Sequence, residues 1–155
     1  MTGRGRLFAA GVLVAAGSLT LSGCGGDSGT TPTPVRTVIA QGTFSVLDLA
    51  SAILAGDPCG FTAFVPFTTS GTGFLDVTVQ WQSPSNNIEI AVARGTCTCK
   101  QAANDDCDVV AQSDSPTAKP ELLMVSNLAA GSYTLVIANL GERSDSGTYE
   151  IGLTR

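Results

Sequence analysis

The stretch FLDVTVQW, Phe74 to Trp81, decides how the rest of the chain is read. Leu75, Val77, Val79 and Trp81 fall on one side of an extended backbone, and Asp76, Thr78 and Gln80 on the other. A period of two marks a strand with one face in a core and the other in water. The same pattern recurs outward from this point. IEIAV sets Ile88, Ile90 and Val92 against Glu89 and Ala91. YTLVIANL sets Tyr133, Leu135 and Ile137 against Thr134, Val136 and Ala138, and TYEIGLT sets Tyr149, Ile151 and Leu153 against Thr148, Glu150 and Gly152.

Turn-rich breaks separate these runs, SPSNN before Ile88 and GERSDSG before Tyr149. Weaker strand patterns lie at Val38–Leu47, Thr62–Thr68, Val109–Gln112 and Glu121–Ser126. About eight short strands between Gly, Pro, Ser and Asn clusters predict an all-β fold, an antiparallel β-sandwich. The one helical segment expected is DLASAILAG, Asp48 to Gly56, with Leu49, Ile53 and Leu54 as its apolar side. Trp81 shares the face of Val77 and Val79 and therefore reads as core. Turned outward it would be a residue for stacking on a sugar or a partner.

The start of the chain has a different character. Arg4 and Arg6 precede an apolar run from Leu7 to Leu21 that is shorter than the roughly 20 residues a bilayer-spanning helix needs. A basic start, a short apolar core and small residues form the layout of a secretory signal. Its end, Leu21-Ser22-Gly23-Cys24, resembles the lipobox of bacterial lipoproteins. That resemblance implies cleavage before Cys24 and acylation of its sulfur. More than one acyl chain makes a stable anchor.

The expected organisation is a signal over residues 1–23, a lipidated cysteine and flexible tether over 24–36, and a folded domain over 37–155. GGDSGTTPTP, Gly25 to Pro34, has no apolar residue and suits a tether. In enterobacterial lipoproteins an aspartate after the lipidated cysteine retains the protein at the inner membrane. Gly25 in that place implies an outer-membrane or cell-surface location.

Losing Arg4 and Arg6 leaves 6 basic residues against 13 acidic, a net charge near −7. Nucleic-acid affinity rests on neutralising phosphates with Lys and Arg, so that class of partner is disfavoured. The chain has no histidine, which removes the commonest general base and metal ligand. No G-x-S-x-G elbow occurs either. A hydrolase would have to work with carboxylates alone, such as Asp76 and Glu89, read as solvent-facing groups on neighbouring strands. No enzyme activity is expected.

With Cys24 assigned to lipid, Cys59, Cys97, Cys99 and Cys107 remain, an even number in an exported domain. Zinc is disfavoured, because its structural sites favour cysteines paired two to four residues apart, and here the spacing is C-x-C. A C-x-C redox centre would need surrounding strand–helix alternation that is absent. A Cys97–Cys99 bridge is disfavoured because residues two apart on an extended strand point the same way. Cys59 can then pair with Cys99 or with Cys97. Asn104 and the acidic residues Asp105, Asp106 and Asp108 supply oxygens of the kind calcium takes, but without the spacing of an EF-hand loop. No cofactor is expected, with calcium as the alternative.

Two segments carry a wider resemblance: SGTGFLDVTVQWQSPSNNIEIAVARGTC, and NLAAGSYTLVIANLGERSDSGTYEIGLT with its Gly-x-Tyr strand start. Together they resemble the bacterial pre-peptidase C-terminal domain, over roughly Val38 to Thr154. The resemblance implies a jelly-roll-like sandwich and non-catalytic binding or assembly with an extracytoplasmic protein or glycan. In that family a G-x-C strand end faces a cysteine about ten residues on. This implies Cys97–Cys107, with Cys59–Cys99 as the added pair.

Overall fold

The computed structural model describes residues 32–116 and 119–155. Cys24, the segment before it and most of the tether lie outside the described residues. The eight strands are β1 (Arg36–Val46), β2 (Thr62–Thr69), β3 (Gly73–Trp81), β4 (Ile88–Arg94), β5 (Asp108–Ser113), β6 (Glu121–Leu128), β7 (Gly131–Asn139) and β8 (Asp145–Thr154). Two short helices join them, α1 (Leu49–Ala55) between β1 and β2, and α2 (Cys99–Ala103) between β4 and β5.

The strands form two antiparallel sheets, β1-β8-β3-β6 and β2-β7-β4-β5. Successive strands mostly cross from one sheet to the other, which makes the sandwich a jelly roll. The alternating positions close the space between the sheets. Leu75, Val77, Val79 and Trp81 face Ile88, Ile90, Val92, Leu135 and Ile137, all nearly inaccessible to water. Trp81 is thus a core residue, and its Nε1 donates to the Asn86 carbonyl at 3.1 Å. Outside, the Lys119 ammonium lies 5.3 Å from the indole centroid, a cation–π contact.

Polar residues fasten the end of the sandwich near Val46. The buried Asp145 carboxylate accepts from the backbone N–H of Gln82 (3.0 Å) and Ser83 (3.1 Å) and from Asn86 Nδ2 (2.9 Å). Asn139 Nδ2 donates to the carbonyls of Leu47 and Arg143. Buried polar groups are costly unless paired, so these side chains stand in for a ladder where the strands part.

Two expectations need correction. The helix in Asp48–Gly56 forms, capped by the Asp48 side chain and by a left-handed Gly56, but it packs on the side of Ala52. Leu49, Ile53 and Leu54 are 51%, 67% and 89% exposed. Hydrogen bonds between Asp48 and Ser144 fix how the helix starts and turn the leucine stripe outward. Asp76 and Glu89 are also not on neighbouring strands. β3 and β4 belong to different sheets, because the SPSNN connection crosses the sandwich. The two carboxylates therefore lie on opposite outer faces, and they cannot act on one substrate atom.

Candidate binding cleft

The 95–107 connection is built from the end of β4. Gly95, at φ +70°, adopts the left-handed conformation that turns the chain back over its own sheet. Its N–H donates to Ser132 O at 2.8 Å. Thr134 Oγ1 donates to Gly95 O at 2.8 Å and accepts from Cys97 N at 3.1 Å. Cys97 is buried at this anchor. Beyond it, Thr98 and Gln101 form a reciprocal capping box that starts α2.

Two bridges hold this segment as a strap. Cys97 joins Cys107, ten positions on, and closes the strap on itself with a Cα–Cα distance of 5.4 Å. Cys59 joins Cys99 at 5.7 Å across 40 positions, tying the strap to the α1–β2 connection. Leu47 N donates to Gly60 O at 2.8 Å, so the Cys59 attachment sits at the Val46 end of the sandwich. The strap therefore leaves β4 at one end of the sheet and is pinned near the other.

Between the strap and the outer face of the second sheet lies a half-open cavity of about 450 Å³. Its floor follows from strand register. Thr62 pairs with Ala138 and Ala138 with Glu89, while Val136 pairs with Ala91 and Ala91 with Gln112. All of these point away from the core, yet Ala91, Val136 and Ala138 are apolar. Pro58, Phe61 and Leu140 supply further apolar wall, and Ala102, Ala103 and Asp105 come from the strap. Small outward side chains leave room that larger ones would fill.

Glu89 is the carboxylate on the floor. Burial pushes its carboxyl above the ordinary value of 4.5, and the negative charges of Asp114 and Glu121 push it the same way. Among the described residues it has no hydrogen bond or ion pair. Glu121 is fully buried, accepting from Ser113 Oγ and, at 3.1 Å, from Ser115 N, and thereby fastening the β5–β6 connection.

The acidic residues proposed from the sequence as calcium ligands do not converge. Asn104 ends α2, Asp105 takes a left-handed turn at φ 57°, and Asp108 pairs with Arg94 at 3.3 Å. Among the described residues no three His, Cys, Asp or Glu side chains gather as a metal site requires. Asp76, on the other outer face, accepts from Arg36 Nε at 3.0 Å, and Glu150 accepts from Arg36 Nη2 at 2.9 Å. The cleft itself escaped the sequence reading. Its signal was there in the apolar residues Ala91, Val136 and Ala138 at positions that alternation assigns to water.

No family model matches the chain, and no curated protein does. Among solved structures it is similar to the pre-peptidase C-terminal domain of a Bacillus anthracis collagenase, with 14% identity over 76% of this chain and 90% of that one, at a TM-score of 0.48. It is also similar to a periplasmic inhibitor of g-type lysozyme from Aeromonas hydrophila, with 12% identity over 79% of this chain and 86% of that one, at a TM-score of 0.40.

Proposed function

We propose that the chain is a lipid-anchored protein of the bacterial cell envelope whose jelly roll, of the pre-peptidase C-terminal kind, is a non-catalytic module that binds an extracytoplasmic protein or glycan. The observation that carries this reading is the cavity of about 450 Å³ between the disulfide-held strap and the second sheet. Ligand sites are concave, mostly apolar and marked by a few polar groups, as this one is. The two bridges fit an oxidising compartment. The lipobox-like ending at Cys24 supports an acyl anchor, with the protein at the outer membrane or cell surface.

The position of the cleft supports presentation to a partner. β1 begins beside the tether at Arg36, and its 11 residues extend roughly 36 Å at about 3.3 Å each. The Cys59 attachment lies at the far end of that strand. Among the described residues no helix is long and apolar enough to cross a membrane.

The test uses the full acylated chain in its own envelope. Cys24→Ala should end fatty-acid labelling and move the protein out of the membrane fraction. Ala91→Arg, which fills the cleft from its floor, should leave anchoring intact and abolish cross-linking to the partner captured by the unaltered chain. Capture that is indifferent to Ala91→Arg would overturn the assignment of the cleft.

A further inference from the structure

We infer that the cleft takes a small amphiphilic cation, an ammonium group carried on a hydrocarbon body. The inference rests on the reading of the cleft as the binding site of the module and goes beyond the protein or glycan partner of that reading, giving the cleft a small-molecule occupant. A cavity of about 450 Å³ lies in the range of roughly 300–1,000 Å³ typical of small-molecule sites. Its floor of Ala91, Val136 and Ala138, with Phe61 and Leu140 beside it, offers contact area to hydrocarbon and few hydrogen-bonding groups to a sugar.

Charge gives the second half of the chemistry. Glu89 and Asp105 line the cavity, and no Lys or Arg does. Asp105 is exposed and solvated, whereas Glu89 is partly withdrawn from water on the apolar floor. The other carboxylates set into this fold have partners. Asp76 has Arg36, Asp145 has four N–H donors, and Asp48 has the Ser51 N–H and the Ser144 hydroxyl. Glu89 has none among the described residues, while Asp114 and Glu121 add negative charge around it. An ammonium at Glu89 with its hydrocarbon over Ala91 and Ala138 satisfies both halves. An anionic ligand meets only repulsion there.

The full-length chain carrying Cys24→Ser, free of lipid, is titrated with hexylammonium, hexanol and hexanoate and followed by amide NMR. Hexylammonium should shift the amides of Glu89, Ala91 and Ala138 to saturation and bind roughly tenfold more tightly than hexanol, the scale of one charge-assisted contact. Hexanoate should not bind. Glu89→Gln, with its spectrum otherwise retained, should lower hexylammonium to the affinity of hexanol. Equal binding of all three, or a preference for ammonium that survives Glu89→Gln, overturns the inference. So does a capped Leu-Lys-Leu peptide that binds where hexylammonium does not, which would assign the cleft to a protein side chain. Absence of hexylammonium binding while partner capture still depends on Ala91 removes the ligand class and leaves the binding-module reading standing. Absence of both removes both.

Discussion

The two outer faces of the sandwich are made by the same strand alternation and have opposite characters. On the β1-β8-β3-β6 sheet, Arg36 lies across Gly152 and reaches Asp76 and Glu150, so the charges are paired in the open. On the β2-β7-β4-β5 sheet the outward residues Ala91, Val136 and Ala138 are apolar, a strap fixed by two bridges covers part of them, and the one carboxylate on the floor has no partner among the described residues. A face that needs only water is finished with ion pairs. A face held partly out of water, yet not filled, is suited to a ligand. Exposed ion pairs contribute little to stability, and cross-links that shorten the unfolded chain contribute much, so the faces should respond very differently to substitution.

The largest effect should come from cutting the strap free. Replacing Cys59 and Cys99 together by Ala releases a loop of 40 positions and should lower unfolding free energy by about 4 kcal/mol in a denaturant titration. The same change at Cys97 and Cys107 should cost about 3 kcal/mol, because the loop is shorter. Next is Thr134→Val, which keeps the shape and removes the hydroxyl joining Gly95 and Cys97. It leaves a buried N–H and carbonyl short of a partner and should cost about 1–3 kcal/mol. On the opposite face, Arg36→Ala should cost less than about 1 kcal/mol, and the loss should shrink further in salt, since the Arg36 side chain is 41% exposed. A loss at Arg36 as large as that at Thr134 would erase the contrast between the faces.

The smallest effect is a slope. Glu89 binds its proton more tightly folded than unfolded, so the folded chain holds more protons between pH 4.5 and the raised value. The Glu89 contribution to stability should be full below 4.5 and fall as pH rises through that window, and Glu89→Gln should flatten the slope. Asp48 at the start of α1 works in the opposite sense. Its carboxylate is lowered to about 2 by hydrogen bonds from Ser51, so its contribution is present above 3.8 and is lost as pH falls through about 2. Thermal melts across pH, with Glu89→Gln and Asp48→Asn in parallel, separate the two windows.

The strands were legible because burying one face of a sheet forces the period-two pattern that Leu75 to Trp81 displays. Which strands share a sheet was not. Pairing is non-local, and nothing within SPSNN says that it crosses the sandwich and sends Asp76 and Glu89 to opposite sides. The helix at Leu49 was legible from the spacing of Leu49, Ile53 and Leu54, yet its outward face was not, because contacts of Asp48 with the β7–β8 connection orient it. The cysteines pointed to bridges, but the cavity needs the register that puts Ala91, Val136 and Ala138 side by side under the strap.

The central claim is that two bridges hold the strap over the second sheet, and peptide mapping of the unreduced chain tests it most directly. The account predicts one cross-linked fragment joining Cys59 to Cys99, another joining Cys97 to Cys107, and a chain four hydrogens lighter than its reduced form. Four free thiols, or fragments joining Cys59 to Cys97, would contradict it.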